Sequence, residues 1–133
     1  MATRRTALAG MGAMAAMLIG AAPRTQRKLV KPPRLRPGDK VGLAAPAGFV
    51  ADRFGIEELA ATIRAMGLEP VLAPNLLERQ GYLAGNDSAR AAALNAMFRD
   101  PGLSAIFAVR GGWGSQRLLP LLDFDALTAN PKL

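Results

Sequence analysis

The sequence predicts a small α/β domain built on a parallel β-sheet. Three short apolar runs lack the strict alternation of a half-exposed strand, and each is followed by a turn rich in glycine or proline. Segments with helical periodicity separate these runs, so that strands and helices alternate along the chain. Parallel strands joined by helical crossovers satisfy this pattern. We therefore expect a flavodoxin-like sheet of three strands with crossover helices, in a domain that covers residues 41–133.

Each element is assigned from its own local signals. Asp52 is a predicted N-cap, Gly67 a predicted helix stop, and Asp87 or Ser88 the predicted cap of the next helix. Apolar residues at i, i+3 and i+4 give the first helix one buried face, on which we place Met66; Met97 is assigned to the core as well. The predicted strands are Val41–Ala47, Glu69–Ala73 and Ser104–Val109, and the predicted helices are Asp52–Met66, Ser88–Phe98, Gln116–Leu122 and Asp123–Asn130.

The composition excludes several chemistries within the 133 residues. The chain contains no histidine and no cysteine. A Ser-His-Asp triad, a thiol nucleophile, a disulfide and a Cys/His zinc site therefore cannot be assembled from these residues. We predict no metal and no cofactor, and a hydrolytic reaction would need a Lys or carboxylate base or residues outside this chain.

The charge distribution argues against a nucleic-acid partner. The formal net charge is +7, but residues 1–40 hold nine Lys or Arg and one acid, whereas residues 41–133 hold eight Lys or Arg and nine acids. The predicted domain thus carries a net charge of −1. A nucleic-acid binder carries its basic patch on the folded part, so we predict no nucleic-acid binding.

The first 23 residues have the organisation of an export signal. Arg4 and Arg5 precede an apolar run from Ala7 to Ala22, which small residues and Pro23 follow. This run is shorter than the ~20 residues of a membrane span. The pattern is typical of a signal peptide of the twin-arginine type; the alternatives are an uncleaved anchor and an accidental apolar run translated from a wrongly assigned start codon. We predict a signal peptide at residues 1–23, a basic, proline-containing linker at residues 24–40, a periplasmic location and membrane contact only through export.

The segment R-G-G-W-G-S, residues 110–115, is the strongest candidate for a site. Its three glycines can present free N–H groups next to a helix start, where they would hold an anion or a developing oxyanion. The alternative is a tight turn that needs glycine only for its backbone conformation. Neither a P-loop nor a full dinucleotide-binding pattern is present. Ser115 lacks the G-x-S-x-G context of a nucleophile and is predicted to be a helix N-cap.

Three neighbouring side chains have open interpretations. Trp113 lines a cleft or covers a hydrophobic edge. Arg110 pairs with a substrate carboxylate or with Asp123, of which the second is favoured. Tyr82 is assigned to packing.

Three motifs together resemble the LD-carboxypeptidase family. They are G-D-K-V-G-L-A-A-P-A near residue 40, Y-L-A-G-N-D-S-A-R near residue 85 and A-V-R-G-G-W-G-S-Q-R-L-L-P-L-L-D, of which the last is the most specific. The resemblance covers about Leu35 to Leu133. It implies a metal-free serine peptidase with a Ser-Glu-His triad, which releases D-Ala from a murein tetrapeptide, and in which a second domain supplies the Glu and His.

The resemblance assigns only part of such a site to this chain. Gly111 and Gly112 match the family's glycine-rich loop, where a backbone N–H joins the oxyanion hole, and Trp113 stands where a Tyr is more usual. The family's nucleophilic Ser follows the next strand, which would begin at about Lys132-Leu133, so we assign no catalytic residue here and expect no hydrolysis by residues 1–133 alone. The alternatives are a non-catalytic module that binds cell-wall peptide and an immunity peptidase against a peptide-nucleotide antibiotic. The full-length protein could form a homodimer.

Overall fold

The structure, a computed structural model, describes residues 30–133. Arg4, Arg5, the predicted signal peptide and most of the predicted linker lie outside the described residues. Among residues 30–133, no helix is long and apolar enough to cross a lipid bilayer.

The described chain alternates strands and helices as the sequence predicts. Strand β1 (Lys40–Ala44) leads to helix α1 (Arg53–Ala65), and β2 (Glu69–Leu72) leads to α2 (Asp87–Arg99). Strand β3 (Leu103–Ala108) is followed by a 3₁₀ helix (Ser115–Leu121) and by the short helix α3 (Phe124–Ala129). The first strand is shorter than predicted, because the chain bends at residues 46 and 47, and Pro46 has no N–H to donate to a ladder.

The three strands form one parallel sheet in the order β2-β1-β3. Val41 of β1 lies between Pro70 of β2 and Ala105 of β3. Because both neighbours of β1 run parallel to it, the carboxyl ends of β1 and β3 meet at the same edge, where ligands of open α/β sheets bind. The predicted α/β fold is confirmed.

Helices α1 and α2 pack on opposite faces of this sheet. Successive side chains of a strand point to opposite faces. Val41 lines an apolar pocket with Ile63 of α1, whereas a Cβ at the next residue, Gly42, would lie 2.9 Å from the Sδ atom of Met97 on α2. Gly42 therefore lets α2 pack close to the central strand.

The helix termini confirm one cap prediction and correct another. The Asp52 side chain accepts a hydrogen bond from the N–H of Gly55 at 3.0 Å, as predicted. The cap of α2 is Asn86, whose side chain accepts from the N–H of Ala89 at 2.8 Å. Asp87, which we predicted as a cap along with Ser88, is inside the helix and pairs with two arginines instead.

The two methionines differ in burial. Met97 is buried as predicted, with 6% of its surface exposed. Met66 is 65% exposed, so its assignment to the core is wrong. Met66 caps the end of α1, where Gly67 takes a positive φ of 79° and the chain turns toward β2.

The last described residues lie along the edge of β3 that does not face β1. The N–H of Leu133 donates to the carbonyl of Ser104 at 3.3 Å, and the carbonyl of Leu133 accepts from the N–H of Ile106 at 2.8 Å. This is the pattern of a parallel strand pair. Lys132 donates to the carbonyls of Asp100 and Leu103, both at 2.6 Å. The chain thus enters the position of a fourth strand at about Lys132-Leu133, where the family resemblance implies one.

Candidate functional site at the carboxyl edge of the sheet

Three segments meet at the carboxyl ends of β1 and β3. The segment of residues 80–84 runs antiparallel to the turn after β1, with a bridge between Gly48 and Leu83. The N–H of Ala84 donates to the carbonyl of Ala47 at 2.9 Å, and the N–H of Phe49 donates to the carbonyl of Tyr82 at 3.2 Å. Residues 110–114, after β3, complete the surface. We call residues 110–114 the glycine turn and residues 45–48 the β1 turn.

The glycine turn presents backbone N–H groups without a protein partner. Gly111, Gly112 and Trp113 are exposed, and within residues 30–133 their N–H groups donate to no protein acceptor. A Cβ built on Gly111 or Gly112 would meet nothing within 4 Å. These N–H groups are therefore accessible to a ligand, which is the property that an anion or oxyanion site requires.

Backbone conformation explains the glycines at two of these positions. Gly112 has φ 109° and Gly114 has φ 98°, in the left-handed region that side chains disfavour. The turn is closed by the N–H of Ser115, which donates to the carbonyl of Gly112 at 3.3 Å. The glycine turn can therefore be both a tight turn that needs glycine for its conformation and a turn that offers N–H groups to an anion.

Two aromatic rings stand beside the glycine turn. Trp113 is 63% exposed and Tyr82 is 51% exposed. Their ring centroids lie 6.2 Å apart with an interplanar angle of 64°, an edge-to-face pair. Tyr82 also covers Gly48, since a Cβ there would lie 3.5 Å from the Tyr82 ring. Tyr82 packs as predicted, but together with Trp113 it also forms an exposed aromatic wall.

Ser115 does not cap a helix, so that prediction is wrong. It is the first residue of the 3₁₀ helix, and the cap position belongs to Gly114. The Ser115 hydroxyl donates to the carbonyl of Gly112 at 3.0 Å. Gly114, with φ 98°, holds the cap position, and Ser115 bonds back to the glycine turn.

Arg110 does not pair with Asp123, which corrects the favoured alternative. Asp123 accepts from Arg99 at the end of α2, with Nη2 at 2.5 Å and Nε at 3.1 Å. The pKa of Asp123 is lowered, mainly by the hydrogen bond from the N–H of Ala126 and then by the Arg99 side chain. Arg110 is exposed and forms no ion pair within residues 30–133. The other alternative, that Arg110 pairs with a substrate carboxylate, therefore stays a prediction.

A buried arginine that the sequence analysis missed joins the two turns. Arg90 of α2 is 1% exposed. Its Nη1 donates to the carbonyl of Pro46 in the β1 turn at 2.5 Å and to the carbonyl of Gly114 at 3.2 Å. Its Nη2 forms an ion pair with Asp87, which also accepts from Arg117. The one available signal was an arginine three residues after Asp87, next to the alanines of an apolar helix face.

The described part of the chain contains no set of side chains that could bind a metal ion. No three side chains of the His, Cys, Asp or Glu type are grouped closely enough to hold a metal ion there. The accessible chemistry at this edge consists of backbone N–H donors, an aromatic wall and the free guanidinium of Arg110.

Fold and site together define an α/β domain with a ligand-accessible glycine turn at the carboxyl edge of a parallel sheet. Residues 41–133 match the family model described as the LD-carboxypeptidase N-terminal domain, and the chain belongs to that family.

Curated relatives carry carboxypeptidase names. A putative carboxypeptidase of Streptomyces coelicolor is 44% identical over 114 residues, which are 80% of this chain and 36% of the relative. The murein tetrapeptide carboxypeptidase of Pseudomonas aeruginosa is 36% identical over 93 residues, 68% of this chain and 29% of the relative. The chain spans about a third of the length of the curated relatives that it matches.

A solved structure confirms the fold. The microcin C7 self-immunity protein MccF, in complex with aspartyl sulfamoyl adenosine, matches with a TM-score of 0.73 at 28% identity, over 80% of this chain and 32% of MccF. The MccF of Escherichia coli is also a curated relative, 34% identical over 102 residues, which are 72% of this chain and 28% of the relative.

Proposed function

We propose that this chain is the N-terminal portion of an exported serine carboxypeptidase that removes the terminal D-Ala from murein tetrapeptides. The observation that carries the proposal is the glycine turn, in which Gly111 and Gly112 are exposed beside an aromatic wall and their N–H groups have no protein partner within residues 30–133. Membership of the LD-carboxypeptidase family supports the reaction class, and the name of the Pseudomonas aeruginosa relative supports the substrate class.

In this proposal the chain supplies electrostatic stabilisation and substrate contact. A serine hydroxyl attacks the carbonyl of the L,D-peptide bond, a histidine takes the serine proton, and negative charge develops on the carbonyl oxygen. The N–H groups of Gly111 and Gly112 donate to that oxygen. The histidine then protonates the leaving amine of D-Ala as the C–N bond breaks. Water hydrolyses the resulting acyl-serine, which frees the serine and releases the shortened peptide as a carboxylate. Trp113 forms a wall of the substrate cleft.

The nucleophile and its base are assigned to residues outside positions 1–133. The chain contains no histidine, and Ser115 uses its hydroxyl to close the glycine turn. Residues 1–133 are accordingly expected to release no D-Ala from a tetrapeptide. D-Ala release by this purified polypeptide, free of host peptidase, would overturn that assignment.

A chimera tests the proposed activity directly. Residues 30–133 replace the matching segment of the Pseudomonas aeruginosa murein tetrapeptide carboxypeptidase, and D-Ala release from a murein tetrapeptide is measured. We expect turnover by the chimera. A folded chimera without turnover would count against the proposed function, with the unmodified relative as the positive control.

The oxyanion role of the glycine turn is tested by Gly112→Ala in the same chimera. The change forces Gly112, with φ 109°, out of its conformation, and loss of one oxyanion donor lowers kcat by about 10²–10³. Gly38→Ala is the matched control, since Gly38 also has a positive φ of 88° and open space around its Cα, but lies at the other edge of the sheet. Equal kcat values for the two variants would refute the role.

A second candidate is an immunity peptidase that acts on a peptide-nucleotide antibiotic. The structural likeness to MccF, which was solved with aspartyl sulfamoyl adenosine, favours it. Offering the chimera both substrates separates the candidates: we expect turnover of the tetrapeptide, and preferential turnover of aspartyl sulfamoyl adenosine would replace the proposed function.

A third candidate is a module that holds cell-wall peptide without cutting it, which the open turn supports. Calorimetry of residues 1–133 with a murein tetrapeptide tests this candidate. Binding without chimera turnover would favour it, whereas absence of heat at millimolar peptide would count against it.

The export proposal rests on Arg4, Arg5 and the apolar run that follows them. Fusion of residues 1–40 to a reporter that functions only after twin-arginine export is expected to place the reporter in the periplasm. Arg4→Lys with Arg5→Lys keeps the charge and is expected to abolish this export. Equal export by both fusions would contradict the twin-arginine route.

A further inference from the structure

The two turns at the carboxyl edge are held by a side chain that belongs to neither. Arg90 lies on α2, yet its Nη1 donates to the carbonyls of Pro46 and Gly114, which are 44 and 24 residues away in sequence. Pro46 belongs to the β1 turn, and Gly114 is the last residue of the glycine turn. One terminal nitrogen thus fixes the distance between the two turns.

Burial makes these hydrogen bonds difficult to replace. Arg90 is 1% exposed, and its side chain is fully buried. Water therefore cannot take over its contacts with the two carbonyls. An arginine is suited to such a position, because its planar fork directs several donors at fixed angles and its charge is retained.

The charge of Arg90 is compensated locally. Asp87, one turn earlier on α2, pairs with Nη2 of Arg90 through Oδ1, while its Oδ2 accepts from Arg117 at 2.9 Å. Asp87 therefore holds two arginines, but only one of them reaches the turns. The side chain of Arg117 is 53% exposed and donates to no carbonyl of either turn; only the backbone N–H of Arg117 does, to Gly114 at 3.3 Å.

We infer that Arg90 is a positioning residue, which sets the glycine turn against the β1 turn and so aims the N–H groups of Gly111 and Gly112. The consequence for catalysis rests on the proposed function. The positioning itself can be measured independently, because Trp113 is the only tryptophan and Tyr82 the only tyrosine of the chain. Their fluorescence reports on the glycine turn and on residues 80–84.

The first test measures the glycine turn in the chain itself. Arg90→Lys retains the positive charge next to Asp87 but loses the fork. We expect a red shift of the Trp113 emission, less energy transfer from Tyr82 to Trp113, and about tenfold faster amide exchange at Ser115, the factor set by loss of one charge-assisted hydrogen bond. Unchanged values in a variant with native circular dichroism would overturn the inference.

Two variants control for indirect effects. Arg117→Gln removes the other partner of Asp87, and Arg99→Gln removes an ion pair at the far end of the same helix. Neither side chain donates to the turns, and Arg117→Gln retains the backbone N–H that donates to the carbonyl of Gly114. Both variants are therefore expected to leave the Trp113 emission and the Ser115 exchange rate unchanged. A response to Arg117→Gln as large as that to Arg90→Lys would assign the effect to Asp87 and overturn the role of Arg90.

A measurement without substitution covers the case in which Arg90→Lys does not fold. In the unmodified chain, the guanidinium of Arg90 is expected to rotate slowly about its Cζ–Nη bonds, which nitrogen NMR detects as separate Nη resonances. Free rotation at Arg90, as at the exposed Arg110, would show that the two carbonyls do not hold it.

Catalysis is the last readout. In the chimera, Arg90→Lys is expected to lower kcat about tenfold or more with KM changed less than twofold, because the oxyanion donors act mainly in the transition state. If the parent chimera is inactive, the proposed function fails while the spectroscopic test of positioning stands. An active chimera with unchanged kcat in the variant overturns the inference.

Discussion

The β1 turn and the glycine turn occupy equivalent places at the carboxyl edge but differ in exposure. In the β1 turn, Ala45 is 2% exposed and Ala47 is 0% exposed, and backbone hydrogen bonds tie it to residues 80–84. In the glycine turn, residues 110–113 are exposed, and the N–H groups of Gly111 and Gly112 have no protein partner in the described part of the chain.

This difference separates a supporting turn from a ligand-facing turn. Buried backbone groups are hydrogen-bonded because an unpaired one is costly, and the β1 turn obeys that rule by pairing with a neighbouring segment. The glycine turn avoids the cost by staying in solvent, where its N–H groups remain ready for a ligand. Only the end of that turn, at Gly114, is buried and anchored by Arg90.

The largest expected loss of stability comes from the anchored end of the glycine turn. In Gly114→Ala, the new Cβ would lie 2.6 Å from Cδ2 of Leu83, at a φ of 98°. The positive φ and the overpacking together lower the free energy of unfolding by roughly 2–4 kcal/mol. Urea denaturation monitored by circular dichroism measures this loss.

Gly111→Ala is the matched control at the open end of the same turn. Gly111 has no positive φ and would meet nothing within 4 Å. We expect the free energy of unfolding to stay within about 0.5 kcal/mol of the unmodified chain. A loss at Gly111 as large as that at Gly114 would show that the whole glycine turn is packed, and would contradict its open end.

The second-largest loss of stability is expected when a side chain of the β1 turn is enlarged. Ala47→Val adds two methyl groups at a residue that is 0% exposed, and overpacking of this kind lowers the free energy of unfolding by about 1–3 kcal/mol. Ala51→Val, at an exposed position four residues later, is the control with a change below about 0.5 kcal/mol. Equal urea midpoints for the two variants would contradict a closed β1 turn.

Local sequence signals predicted most of the fold. The alternation of apolar runs and helical segments gave the parallel sheet, and Asp52 was found as a cap because capping depends on residues only three positions apart. Met66 was assigned to the core from periodicity, but α1 ends at Ala65 and the side chain lies past its buried face.

The geometry at the carboxyl edge was predicted only where it is local. The glycines of residues 111–114 are enough to predict an open turn. The hydrogen bonds of Arg90, in contrast, reach Pro46 and Gly114, which are separated from it by 44 and 24 positions in the sequence. The sequence analysis named only Arg110 as a partner of Asp123, and the pairing with Arg99 depends on how the segment after the 3₁₀ helix packs against α2. No sequence pattern fixes that packing.

The aromatic wall is expected to contribute less than either turn. A double-mutant cycle with Tyr82→Leu and Trp113→Leu isolates the edge-to-face contact, whose centroids lie 6.2 Å apart. Aromatic pairs contribute about 0.5–1.5 kcal/mol, and the exposure of both rings places the expected coupling at the lower end. Coupling of zero in urea denaturation would mean that the wall is not formed in solution.

The smallest expected effect concerns the segment after the 3₁₀ helix, which packs against α2. Asn95 accepts from the N–H of Asp123 and donates to the carbonyl of Leu121, both at 2.9 Å, and Asp123 accepts from Arg99. The pKa of Asp123 is lowered in the fold by the N–H of Ala126 and then by Arg99. The carboxylate therefore stabilises the fold fully above its ordinary pKa of 3.8, and this contribution is lost as the pH falls through the lowered value.

Asp123→Asn keeps an acceptor for the N–H of Ala126 but removes the charge that titrates. The unfolding temperature of this variant is expected to fall less between pH 5 and pH 2, about the range in which a lowered carboxyl pKa acts, than that of the unmodified chain. Asp125→Asn removes a neighbouring exposed carboxylate that forms no ion pair within residues 30–133, and it should leave the acid dependence nearly unchanged. Because the Asp123 cap follows the 3₁₀ helix and lies outside the glycine turn, Trp113 emission should not respond to either variant. A Trp113 response to Asp123→Asn alone would extend the anchored part of the turn beyond Gly114.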